Sequence, residues 1–238
     1  MKKLAIAGLT MLLVETAAMS ALAEKIPNDS PPNPSDTPGE CPVVGYKVVT
    51  SSVLNLTIPD GNPAGVTTPP IQFNPDGTTI VDVVAELAIA HTWVGDLNVR
   101  LFYDHDCTPG TAPFGPVSLL CRQQLPGCPV DMCCGCSGDL SFTETYFWGT
   151  NGPNKEMAAG NQCPTAIAGG CYLVASESQF TFPLFSGLRK DGCWSLNLQD
   201  GADLDVGMLQ SWKIHVANQT TTAIEPSSWG AVKAGFTQ

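Results

Sequence analysis

The sequence predicts an all-β protein, a β-sandwich with a disulfide-rich loop excursion, on three observations. First, Phe185–Val216 holds two runs with the period of half-buried strands. In one, Trp194, Leu196 and Leu198 alternate with Cys193, Ser195 and Asn197; in the other, Trp212, Ile214 and Val216 alternate with Lys213 and His215. Second, the same period recurs over Ile80–Ala90 and again from Leu97 to Tyr103. Third, residues 104–176 lose that period and collect glycine, proline and eight of the ten cysteines, so they read as an excursion braced by cross-links rather than as a second core.

Taken in order, the chain opens with a segment outside the fold. Lys2-Lys3 precedes an apolar run from Leu4 to Val14, and Ala21-Leu22-Ala23 supplies a small-x-small cleavage site, so residues 1–23 read as a signal peptide. The run is shorter than the roughly 20 apolar residues a bilayer span requires. A secreted protein, extracellular or periplasmic and without membrane insertion, is the expectation. Residues 24–44 are rich in proline and poor in large apolar side chains, which makes an extended tether.

The domain is expected over residues 45–217. Strand-like positions begin near Tyr46, continue through Val48, Val49, Val53 and Leu56, and end in the turn cluster Ile58–Pro63. From Ile80 to Ala90, Val81, Val83, Leu87 and Ile89 are placed on one face, with Asp82 and Glu86 on the other. After the break at His91–Gly95, Leu97, Val99, Leu101 and Tyr103 oppose Asn98 and Arg100. The short link predicts antiparallel neighbours. The two runs of Phe185–Val216 flank an acidic turn, Asp200–Gly207, and are expected to form the closing hairpin. Leu209 lies three residues before Trp212, which breaks period two and predicts a bulge or a late start to the strand. Residues 218–238 form a C-terminal tail, in which Trp229, Val232 and Phe236 fall at the spacing of a short amphipathic helix.

Charge and cysteine content narrow the partners. The chain carries −11 at neutral pH, and removal of Lys2, Lys3 and Glu15 with the signal makes it one unit more negative. An acidic surface repels phosphate backbones, so no nucleic acid is expected. Divalent cations fit better, although acidity that merely keeps an exported protein soluble explains the same charge. Ten cysteines in an exported chain argue for up to five disulfides. The cluster Cys128, Cys133, Cys134 and Cys136 also admits a thiolate metal site, but it lacks the paired C-x2-C spacing of one.

Five segments in series carry a family resemblance: Ile58-Pro59-Asp60, His91–Leu97, Phe185-Ser186-Gly187, Gly192–Leu196 and Asp205-x-Gly207-x-Leu209-x-x-Trp212-x-Ile214. From about Lys47 to Ala217 the chain resembles the P domain, or Homo B domain, of subtilisin-like proprotein convertases, in its bacterial secreted form. The resemblance implies a jelly-roll-like antiparallel sandwich that normally follows, and stabilises, a subtilisin-type catalytic domain. It also implies a Cys136–Cys163 disulfide, because Cys136-Ser137-Gly138-Asp139 and Asn161-Gln162-Cys163 resemble a cysteine pair of bacterial members. The chain departs from the family pattern in two ways. No protease domain is recognisable, and the acidic run that often follows the Cys-Ser-Gly-Asp segment is replaced by Tyr146-Phe147-Trp148-Gly149-Thr150.

The candidate chemistry is sparse. Neither a G-x-S-x-G nor a subtilisin-like Asp, His or Ser segment is present, and His91, His105 and His215 read as structural or solvated, so the chain is expected not to be an enzyme. Asp200, Asp203 and Asp205 share one turn and offer hard oxygen donors suited to calcium, with Asp96 as a further ligand; aspartates placed for turn geometry explain the same pattern. Tyr146, Phe147 and Trp148 would stack on a sugar ring or a partner peptide if exposed, and would form the small core of the excursion if buried. Asn55-Leu56-Thr57 and Asn218-Gln219-Thr220 fit the glycosylation sequon. The expected function is a non-catalytic binding or accessory module for an exported protease or an extracellular surface. The alternatives are a stabilising part of a subtilisin-like protease system and a carbohydrate-binding, adhesive sandwich whose partner is a glycan.

Overall fold

The computed structural model describes residue 41 and residues 43–108, 113–121, 138–150, 166–175, 178 and 180–220. The expected signal peptide, the tether up to residue 40, the tail beyond residue 220, and Cys136 and Cys163 lie outside the described residues. Eleven strands follow in order among the described residues: β1 (Lys47–Thr50), β2 (Leu56–Ile58), β3 (Val66–Thr67), β4 (Ile71–Gln72), β5 (Thr78–His91), β6 (Leu97–Asp104), β7 (Phe114–Leu120), β8 (Tyr146–Trp148), β9 (Gly170–Tyr172), β10 (Cys193–Asp200) and β11 (Gly207–Thr220). They form an all-β sandwich. Sheet one runs β1-β11-β5-β8-β9 with β2 also on β11, and sheet two runs β3-β10-β6-β7 with β4 also on β10. Every named pairing is antiparallel except β8 with β9.

Alternation explains the core. Ile80, Val83, Ala85, Leu87 and Ile89 of β5 and Leu209, Trp212, Ile214 and Val216 of β11 face Leu97, Val99, Leu101 and Tyr103 of β6 and Trp194, Leu196 and Leu198 of β10, all buried. Aromatic rings fill the middle. Trp194 lies 4.7 Å from Tyr103 and 5.0 Å edge-on from Phe185, contacts that contribute roughly 0.5–1.5 kcal/mol each beyond their buried area.

Two bulges set the register of the β5–β11 ladder. In β11, Leu209 pairs with Ile89 and Ser211 with Ala88, so Gln210 is the extra residue, where the Leu209–Trp212 spacing predicted a break. In β5, Asp82 pairs with Ala217 and Ile80 with Asn218, which leaves Val81 unpaired and 48% exposed. Val81 was expected on the buried face; the bulge turns it outward and puts Ile80 in its place.

Three expectations need correction. β5 and β6 are not neighbours: a buried 3-10 turn, Val94–Asp96, carries the chain from sheet one to sheet two. β10 and β11 likewise belong to opposite sheets, so residues 201–206 form an arch across the sandwich rather than a hairpin turn. Alternation tells which side chains are buried, but two facing sheets bury their strands in the same pattern, so it cannot assign a strand to one layer. The cysteine-rich segment, finally, is more than a loop excursion. It supplies β7 to the edge of sheet two and β8 and β9 to sheet one.

Two disulfides brace the frame. Cys107–Cys193 joins the segment after β6 to the start of β10, and Cys41–Cys171 joins the end of the tether to β9. Cys121 is also disulfide-bonded. The first two bridges span 86 and 130 residues, and cross-links closing loops of that length stabilise by about 4–5 kcal/mol each in the chain-entropy account. Such bridges fit a chain that folds in an oxidising, extracellular or periplasmic compartment. No helix among the described residues is long and apolar enough to cross a membrane.

Candidate functional site

The β5–β6 and β10–β11 connections lie at one end of the sandwich, and they interlock there. The last residue of β5, His91, turns its ring into the gap between the sheets, where Nε2 lies 3.2 Å from Asp200 Oδ2 at the end of β10; neither side chain is exposed. The Trp93 main-chain N–H donates to His91 Nδ1 at 3.1 Å. That nitrogen is therefore an acceptor, so the ring proton sits on Nε2 and is donated to Asp200. Gly207, opposite His91 in the ladder, is required by this ring: a Cβ there would lie 2.2 Å from His91 Cδ2.

The arch over residues 201–206 is tied down by carboxylates and one hydroxyl. Ala202 N–H donates to Asp200 Oδ1 at 3.1 Å, and Gly201 N–H to the Asp96 carbonyl at 3.0 Å. Thr92 Oγ1 donates to the buried Asp205 at 3.0 Å and accepts from Val206 N–H at 3.1 Å. Leu204 N–H donates to Asp60 Oδ2 at 3.2 Å, which brings in the loop after β2, and the Asp203 carboxylate lies across Gly61 of that loop. Asp139 closes the group: burial and the nearby Asp205 carboxylate push its pKa up.

The structure thus brings Asp96, Asp200, Asp203 and Asp205 to one end of the sandwich. Asp96, Asp200 and Asp205 are buried and Asp203 is exposed. Among the described residues no three His, Cys, Asp or Glu side chains gather where they could hold a metal ion. Main-chain N–H groups, His91 and Thr92 occupy oxygens of Asp60, Asp200 and Asp205.

The proposed binding trio is also relocated. Tyr146 and Trp148 are fully buried, with β8 paired to β5 through Leu87 and Ala85, so neither ring is available to a sugar or a peptide. Phe147, half-buried on the other face, packs 6.2 Å from the His215 ring. His215 Nε2 lies 2.6 Å from Glu86 Oε2, while Lys213 binds Glu86 Oε1; burial is the largest single influence and pushes the Glu86 pKa up, but the two contacts together outweigh it and hold the pKa below its ordinary value. His105 stands exposed beside Asp106.

No protein-family model and no curated protein matches this chain. Among solved structures it is similar to a serine protease of Aeromonas sobria, with a TM-score of 0.36 and 13% identity over 73% of this chain and 26% of that one. It is also similar to the complex of Aeromonas sobria serine protease with a chaperone, with a TM-score of 0.34 and 15% identity over 79% of this chain and 28% of the matched one. The chain spans about a quarter of those chains. Likeness at this level assigns neither family nor function.

Sequence reasoning singled out the aspartates without seeing what they hold. Asp60, Thr92 and Asp139 belong to the same end, and the segments Ile58-Pro59-Asp60, His91–Leu97 and Asp205-x-Gly207 were the available signal for it. The interlocked arches present one further feature. Leu204 is 88% exposed and Val206 70% exposed, and Leu204 is held at φ +84 by its bond to Asp60. A left-handed leucine of this kind costs about 1–3 kcal/mol and persists only where its surroundings impose it. Chemically the arrangement positions main chain; it displays an apolar knuckle rimmed by Asp60 and Asp203.

Proposed function

We propose that this chain is an exported, non-catalytic P-domain-like module that acts as an accessory to an exported protease. The observation that supports the reading most is convergence. Three segments of the resemblance, spread along the chain from Ile58 to Gly207, meet in one contact: Gly207 pairs with both Ile58 and His91, and Thr92 bonds Asp205. Shared motifs that jointly build a buried joint are what a common architecture requires. A non-catalytic role fits the histidines, since His91 and His215 are both engaged by carboxylates and neither is exposed. In this reading the Leu204–Val206 knuckle meets the partner, with Asp60 and Asp203 facing cationic groups around an apolar pocket.

The test uses the mature chain and the secreted fraction of the producing cell. Immobilised protein is expected to retain a serine protease and to slow that protease's inactivation at 50 °C, while Leu204→Ser weakens retention without lowering its own melting temperature. The purified chain alone is expected to show no serine-inhibitor-sensitive cleavage of casein. Cleavage by the purified chain, or retention that is indifferent to Leu204→Ser, would refute the proposal.

A further inference from the structure

Sheet one ends at β1, and among the described residues no strand pairs with the far side of β1. The register tells which of its main-chain groups face that side. Ser51 N–H donates to the Trp212 carbonyl at 2.9 Å, so Ser51 and Trp212 are a bonded pair of the ladder. Bonded and non-bonded pairs alternate between antiparallel strands, so Val49 with Ile214 and Lys47 with Val216 are bonded pairs too. Val48 with His215 and Thr50 with Lys213 are then non-bonded pairs, whose N–H and C=O groups point away from β11. Both residues are exposed, and no hydrogen bond from another described residue meets those groups. Exposed apolar side chains gather on the same stretch, with Val44, Val48 and Val53 all open to solvent. Gly45–Thr57 holds one charged side chain, Lys47, and no acid, in a chain whose net charge is −11.

We propose that this edge pairs with the same edge of a second copy, antiparallel, about a two-fold axis through Val49. The edge is self-complementary, as a two-fold contact requires. Val48 stands opposite Thr50 of the other copy, so both outward N–H groups of each copy donate to the outward carbonyls of the other. The axis is perpendicular to the sheet, so the outer faces stay on one side, the cores on the other, and sheet one continues from copy to copy. Apolar groups meet apolar groups: Val49 lies against Val49 at the axis, and Val44 and Val53 approach Leu54 and Gly45 of the other copy. Charge selects this edge over the rest of the surface. Two copies of an acidic chain repel wherever carboxylates face each other, and the acid-free stretch is where they can close. Lys47 falls opposite Ser51, which keeps the two ammonium groups about 13 Å apart, beyond the screening length of about 8 Å at physiological salt. The inference does not depend on the function proposed above.

The test is sedimentation velocity of the mature protein at concentrations rising to roughly several hundred micromolar, where a reversible dimer is expected. Thr50→Pro removes an outward N–H and leaves the ladder to β11 intact, a place where an edge strand tolerates proline. It is expected to weaken the dimer at least tenfold while the melting temperature stays within about 2 °C of wild type. Val48→Glu puts the two new carboxylates about 7 Å apart across the axis and is expected to weaken the dimer as much, with partial recovery in high salt. Hydrogen exchange supplies a readout that does not depend on substitution. On dimerisation the Val48 and Thr50 amides should gain protection, while the Val49 amide, already bonded to β11, should not. A chain that stays monomeric throughout, or a dimer indifferent to both substitutions, overturns the proposal. So does a dimer in which the Val48 and Thr50 amides exchange as fast as in the monomer, or their protection in a monomer only when another secreted protein is added, which would make the occupant a foreign strand.

Discussion

Gly207→Ala tests whether the buried joint between the arches governs the stability of that end. The added Cβ would lie 2.2 Å from His91 Cδ2 and 3.0 Å from Ile58 Cδ1. The Ile58 methyl can give by a few tenths of an ångström. The His91 ring cannot, since Asp200 holds Nε2 and the Trp93 N–H holds Nδ1. Overpacking alone costs about 1–3 kcal/mol. Pushing the ring off Asp200 adds part of the roughly 1.5–3 kcal/mol that a hydrogen bond to a charged group is worth. We expect a loss of about 2–4 kcal/mol, which for a domain of this size lowers the melting temperature by roughly 5–12 °C. Thermal unfolding followed by circular dichroism reads this directly, and a double-mutant cycle identifies the cause. In a His91→Ala background, itself destabilised by the stranded Asp200, Gly207→Ala should cost less than about 1 kcal/mol. A melting temperature within about 2 °C of wild type, or an undiminished cost without the ring, would refute the reasoning.

Trp148→Ala removes a fully buried ring from β8 and should cost about 3–5 kcal/mol, seen as a large fall in melting temperature; an unchanged melt with lost glycan retention would restore the surface role. The buried Lys190 ammonium bonds Asp76 and holds its carboxyl at about 2, against an ordinary value of 3.8. Because the folded pKa is depressed, this group stabilises above pH 4, and the contribution fades as pH falls toward 2. Asp76→Asn should flatten the acid limb of a stability profile in that window, and a limb of unchanged slope would contradict it. A chelator should move the melting temperature by no more than about 1 °C, since the arch carboxylates already have protein partners. A rise of several degrees on adding calcium would show that Asp60, Asp203 and their neighbours rearrange around an ion.

The core was legible because burial leaves a period-two trace, and Trp194, Leu196, Leu198, Trp212 and Ile214 were all read as buried. The layer of each strand was not, because Leu97–Tyr103 looks the same whether β6 pairs with β5 or faces it. The bulge at Gln210 showed as a broken spacing, but the one at Val81 was masked because Ile80, Val81, Val83 and Val84 are all apolar and either parity looked sound. Of the site, the aspartates were visible as composition. Their partners were not, since His91 with Asp200 and Leu204 with Asp60 meet across more than a hundred residues through pairing that no local signal encodes. Tyr146–Trp148 could be read either way from sequence, and pairing with β5 decided it.

The Cys41–Cys171 bridge changes how load passes through the molecule. β9 and β1 are opposite edges of the same sheet, yet only five residues separate Cys41 from Lys47. The strap between them must cross the outer face, a distance of about 19 Å at strand spacing, and Tyr46 is pinned on the way by its hydroxyl bond to Asp82 of β5. Sheet one is thus buckled like a belt, with its ends joined through the chain that leads in. A pull on the upstream segment is delivered first at β9, through the disulfide, instead of at β1. Reducing that single bridge would move the point of loading from β9 to β1, the opposite edge of the same sheet.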